Sequence, residues 1–199
     1  MDKIRRNERM TAMMKLLSGA PNQIFTLNSF CELFGTAKST MSEDTELLRQ
    51  VAQTFDLGEV ETVTGAAGGV RYRPVISREK ARAAIAELCE ELSGTERVLP
   101  GGFLYYSDIL STPETVNRMG EILATEFYDE EPDFVLTMET KGIPVALMTA
   151  EALHVPLTIA RHSSKVYEGS AVNINYVSGK GVIETMRSEE HTSELQSLA

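Results

Sequence analysis

Cysteine is nearly absent: Cys31 and Cys89 lie 58 positions apart in 199 residues. With no C-x-x-C pair and no nearby histidine, neither a disulfide framework nor a metal site is expected. Glycine and proline are few, 14 and 7, and 42% of the residues are hydrophobic against 24% charged, which excludes collagen-like and broadly disordered chains. No apolar run approaches the roughly 18 residues of a membrane helix. The opening MDKIRRNERM lacks the apolar segment of a secretory signal. A cytoplasmic protein is predicted, with no membrane partner. A positive excess is missing as well, since a net charge of -10 argues at first against nucleic acid.

That charge is unevenly spread. Residues 1–75 hold nine Lys/Arg and nine Asp/Glu, whereas 76–186 hold nine against seventeen. The first twenty residues carry five basic side chains, Arg5 and Arg6 among them, and two acidic ones. A DNA-binding face therefore remains open at the N-terminal end.

The spacing of Met10, Met13, Met14 and Leu17 is that of one helical face, stopped by Gly19-Ala20-Pro21. Thr26 suits an N-cap for a helix with Leu27, Phe30, Leu33 and Phe34 on one side, ended by Gly35. A capping box from Thr40 to Glu43 opens a third helix, whose start could lie a residue or two earlier, with Leu48, Val51, Ala52 and Phe55 as its apolar stripe. Two helices meeting across Gly35-Thr36-Ala37 form a helix-turn-helix pattern, which offers Lys38, Ser39, Thr40 and Ser42 to a major groove. Next, 59–64 and 70–73 flank a glycine-rich tip and predict a hairpin, or wing. Alternation sets Arg71 and Arg73 opposite Val70 and Tyr72, where they would reach phosphates. Against this, Glu43, Asp44 and Glu46 on the third helix would repel DNA.

Ser77 caps a linker helix with Ala81, Ala84, Ile85, Leu88 and Leu92 on one face. Thr112-Pro113-Glu114 opens another, with Val116, Met119, Leu123 and Phe127 turned inward. The apolar run 134–138 reads as a strand covered on both faces. A helix over 145–153 and a strand over 156–160 complete a βαβ unit, which implies a parallel sheet with ligand chemistry at the carboxyl ends of its strands. There, Thr140-Lys141-Gly142 has the parts of an anion loop, although T-K-G also occurs in ordinary turns. Arg161 and Lys165 bring two cations into the polar stretch beyond the next strand, and His162 reads as a surface histidine.

Four blocks, Gly65–Val70, Glu96–Gly102 with Ser107–Leu110, Thr140–Pro144 and Glu168–Gly179, closely resemble the purine operon repressor of Gram-positive bacteria, over residues 1–186. The resemblance implies an α/β fold overall: a winged helix-turn-helix (α+β) in 1–75, then a linker helix and an incomplete parallel-sheet, phosphoribosyltransferase-like domain in 76–186. It also implies a homodimer on double-stranded DNA that represses purine synthesis and salvage genes, does not act as an enzyme, and is released by phosphoribosyl pyrophosphate (PRPP), with Mg as its candidate companion ion. By position Thr140, Lys141 and Gly142 match the pyrophosphate loop, while Arg161 and Lys165 fall in the segment leading to a flexible loop. A purine phosphoribosyltransferase with an extra N-terminal domain is the alternative. Two adjacent acids that hold the ribose phosphate in the family are not found, and 187–199 reads as translated sequencing adapter, set aside from the fold.

Overall fold

The structure is a computed structural model that describes residues 4–65, 68–161, 171–179 and 181–189. Lys165, His162, the wing tip at 66–67 and the tail from 190 onward lie outside the described residues.

The N-terminal module has three helices, α1 (Arg6–Ser18), α2 (Leu27–Phe34) and α3 (Lys38–Phe55), and the hairpin β1 (Glu59–Val63) with β2 (Gly69–Arg73). Thr26 caps α2 as expected, its hydroxyl accepting from the Ser29 N–H at 3.1 Å, and Gly35 ends it at φ 60°. That left-handed residue turns the chain directly into α3. The hairpin is antiparallel, with Glu61 opposite Arg71 and Val60 opposite Tyr72. Phe25 adds a bridge to Val70 through two backbone hydrogen bonds of 2.8 Å. A side chain at Gly69 would meet the Phe25 carbonyl at 2.1 Å, so only glycine permits this approach. Met13, Leu17, Phe30, Phe34, Met41, Leu48, Val60 and Val70 form one buried core.

Two helical stripes differ in phase from the sequence reading. Leu33, Val51 and Phe55 are exposed, while Met41, Asp44 and Thr45 turn inward on α3. No capping box forms at Thr40, because α3 begins at Lys38 after Ala37 and Glu43 is drawn to Arg6 instead. The ion pairs decide this phase: a carboxylate as fully enclosed as Asp44 must face its guanidinium partners.

Beyond the wing come α4 (Arg78–Leu92), the short hairpin β3 (Val98–Leu99) and β4 (Phe103–Leu104), α5 (Pro113–Phe127), β5 (Val135–Met138), α6 (Ile143–Leu153), β6 (Leu157–Arg161), β7 (Ala171–Val177) and β8 (Ile183–Glu189). Ser77 caps α4 through the Lys80 N–H, yet no residue of α4 is buried. The βαβ unit forms as expected, with β5 parallel to β6 and α6 as the crossover. The sheet order β5-β6-β8-β7 is mixed, since β8 runs antiparallel to both neighbours. β8 also runs through Arg187 and Ser188, residues that the sequence reading sets aside from the fold.

Two burial expectations for this module need correction. Leu136 and Met138 leave one face of β5 open, and α5 packs through Val116, Gly120 and Ala124 rather than through Leu123 and Phe127. Gly120 is the reason for the second shift, because its lack of a side chain lets α5 rest on the α6 backbone.

Where the modules meet, Glu121 borders a cavity of about 250 Å3 lined also by Tyr72, Pro74 and Glu151. Burial pushes its carboxyl above the usual range, and the nearby Glu151 charge adds to this, while Asn117 donates to it at 3.0 Å and opposes the shift. A carboxyl whose pKa is higher folded than unfolded costs stability as pH rises through that interval. Glu121→Gln is therefore expected to stabilise the chain at about pH 7 and to have much less effect at about pH 4. Thermal melts of both proteins at the two pH values check this; an equal shift at both would overturn it.

Candidate nucleic-acid interface and effector loop

The first turn of α3 places Lys38, Ser39 and Ser42 on the surface with Thr40 half-buried beside them. Free N–H groups at this helix start favour an anion such as a phosphate oxygen. The three acids that would oppose DNA are each countered within the module. Asp44 is wholly enclosed and held by Arg9 at 2.8 Å and Arg6 at 2.9 Å. Glu43 pairs with Arg6 at 2.8 Å, and Glu46 pairs with Arg49. Arg49 in turn donates to the Val60 carbonyl at 3.1 Å and the Thr62 hydroxyl at 2.7 Å, tying α3 to the wing. Arg6 is thus partly engaged within the module but remains half-exposed, and Arg5 is exposed at the start of α1.

The two wing arginines do not share the role expected for them. Arg71 lies 2.7 Å from Glu61, which that guanidinium holds below the usual carboxylate range, and its side chain is 15% exposed. Arg73 is 7% exposed and turned into the protein: its Nε donates to the Asn22 Oδ1 at 2.9 Å and its guanidinium lies 4.9 Å from the Tyr128 ring centre. The assignment of Arg73 to a phosphate is therefore corrected. Alternation along β2 holds, but the face opposite Val70 is covered at Arg73 by Asn22 and by Tyr128, the residue after α5.

At the carboxyl end of β5, Thr140, Lys141 and Gly142 are exposed and lead directly into α6, which starts at Ile143, two residues earlier than expected. A Cβ on Gly142 would lie 2.6 Å from the Thr137 hydroxyl, so the turn excludes other residues in its present form. Arg161, at the end of β6, lies 3.8 Å from Glu139, which places it beside the loop. Ser107 and Tyr106 also belong here; Ser107 opens one of the blocks that carry the resemblance, whereas no sequence pattern marks Tyr106. The Lys141 ammonium contacts the Ser107 hydroxyl and sits 5.2 Å from the Tyr106 ring centre. Arg97 steadies that segment, pairing with Asp108 at 3.0 Å and donating to the Tyr105 carbonyl at 3.2 Å. Among the described residues no group of three or more His, Cys, Asp or Glu is placed to hold a metal ion, and no helix is long and apolar enough to cross a membrane.

A family model described as bacterial purine repressor, N-terminal, matches residues 5–74. The purine biosynthesis transcriptional activator PurR of Lactococcus lactis is 40% identical over 196 residues, covering 98% of this chain and 71% of that protein. The chain belongs to the PurR family. Other PurR relatives are the probable purine biosynthesis transcriptional regulator of Streptococcus pneumoniae and the purine biosynthesis transcriptional repressor of Bacillus subtilis. Each is 41% identical over 177 residues and 89% of this chain, which spans 64% and 62% of their respective lengths. Among solved structures, the adenine phosphoribosyltransferase of Rhodothermus marinus is similar, with 21% identity and a TM-score of 0.43 over 55% of this chain and 62% of that one. The match to the PurR N-terminal model ends where β2 gives way to the linker, the boundary beyond which acidic residues outnumber basic ones.

Proposed function

We propose that this PurR-family chain is a DNA-binding regulator of purine biosynthesis genes, acting as a homodimeric repressor whose hold on DNA is relieved by PRPP at Thr140-Lys141-Gly142. The observation that carries the first half is the start of α3, where Lys38, Ser39 and Ser42 are exposed while Glu43, Asp44 and Glu46 are paired behind them. The second half rests on an exposed glycine-bearing turn with a lysine at the head of a helix, a combination suited to a pyrophosphate. PRPP would bring Mg with it as counter-ion. Relatives carry the names repressor and activator alike, so the sign of regulation follows the resemblance in sequence blocks. Phosphoribosyl transfer is the weaker reading, because the DNA-facing module has no part in such a reaction.

The test is a salt titration of duplex binding. Removing one cation that neutralises a phosphate lowers the magnitude of the log-log slope by roughly 0.9. Lys38→Ala removes one cation from each protomer of the dimer, so it is expected to weaken binding on all sequences and reduce the slope by about two such steps, roughly 1.8. Arg73→Ala should leave the slope alone. An unaltered slope for Lys38→Ala would overturn the interface, and a chain that keeps its DNA affinity in saturating PRPP would overturn the effector assignment.

A further inference from the structure

Helix α6 has the candidate anion loop at one end and the DNA-binding module at the other. Its last carbonyls are not left to water: the Leu153 carbonyl accepts from Asn22 Nδ2 at 2.8 Å, and the Ala152 carbonyl accepts from the Tyr128 hydroxyl at 3.2 Å. Asn22 is itself fixed. Its backbone is left-handed at φ 58°, its N–H donates to the Tyr72 carbonyl at 2.7 Å, and its Oδ1 accepts from Arg73. Arg73 closes the ring by lying over Tyr128, which directly follows α5. A second tie runs from the Ile76 N–H to the Thr125 hydroxyl at 3.1 Å.

We propose that the Asn22–Arg73–Tyr128 junction couples the effector loop to the DNA-binding module, with α6 as the connecting strut. The proposal rests on the reading that the loop takes PRPP and that α3 takes DNA. An 11-residue helix is about 16 Å long and its hydrogen-bond ladder makes it stiff, so a shift imposed at one end reappears at the other. The acceptors at the far end are backbone carbonyls, which move only with their helix. The donor is the side chain of a residue bonded to both Tyr72 and Arg73 of the wing, so the wing must follow or the bonds must break. Either outcome gives the ligand different interaction energies in the two states, as coupling between distant sites requires.

The experiment uses the whole chain. Asn22→Gly keeps the left-handed backbone and removes both side-chain bonds, and it touches neither the loop nor α3. Asn22→Asp keeps the acceptor for Arg73 and removes the donor to Leu153. Duplex affinity is measured by fluorescence anisotropy with and without saturating Mg-PRPP, and PRPP affinity by calorimetry. Both variants are expected to bind DNA and PRPP each within about threefold of the parent, while the effect of PRPP on DNA affinity falls towards none. If Asn22→Gly does not fold, as judged by circular dichroism, the Asn22→Asp result decides. A full PRPP effect in either folded variant overturns the strut. A parent chain in which PRPP binds without altering DNA affinity overturns the functional reading, and that result is separate because it needs no variant.

Discussion

Asp44→Ala is expected to lower the unfolding free energy by about 3–5 kcal/mol, enough to unfold much of a marginally stable module. The carboxylate is fully enclosed between α1 and α3, and Arg9, its main partner, has a side chain only 8% exposed. Removing the acid leaves that guanidinium desolvated, with the Ile4 carbonyl at 2.9 Å remaining as an acceptor. The second partner sets the control. Arg6 is half-exposed, so Arg6→Ala gives up a solvent-screened interaction and should cost roughly 1 kcal/mol or less. Urea denaturation followed by circular dichroism measures both; equal losses for the two variants would show that burial does not set the strength of this pair.

The second large effect is expected at Gly120, where α5 crosses α6. A methyl group there would lie 2.5 Å from the Met148 Cβ, 2.7 Å from the Met148 carbonyl carbon and 2.8 Å from the Thr149 nitrogen. Two of those atoms are backbone, so no side-chain rotation relieves the clash and the helices must separate. Gly120→Ala should then lose about 2–3 kcal/mol, even though alanine favours the helix by about 1 kcal/mol. A variant as stable as the parent would mean that α5 and α6 do not touch at this glycine.

Local signals in the sequence are clear where one residue settles the backbone. Thr26, Gly35 and Ser77 mark helix ends through a hydroxyl or a left-handed turn, and each ends or caps its helix as expected. The βαβ unit is equally legible from an apolar run, a glycine turn and a second apolar run. What a sequence does not carry is which flank of a helix meets its neighbour. The phase of α3 is decided by arginines on α1, and the phase of α5 by a glycine that looks like a gap in an apolar stripe. The site divides in the same way. The exposure of Lys38, Ser39 and Ser42 is legible because the start of a helix lies open to solvent, and the place of 140–142 between β5 and α6 is legible because a glycine turn separates an apolar run from the next helix. Arg73 misleads because period-two alternation gives the face of a strand but not what covers it. Asn22 and Tyr106 carry no pattern that sets them apart from ordinary turn and loop residues, and Ser107 is marked only by the block it opens.

The strand order has a consequence in time. Among the described residues β7 is paired only with β8, which comes later in the chain. During synthesis β7 emerges with no neighbour to receive it and must wait for the following segment. The two then close as a hairpin, a local event of microseconds, before the pair is added to the sheet as a unit. β5, α6 and β6 are complete by that stage, so the helix that joins the 140–142 loop to the wing is assembled before the hairpin arrives.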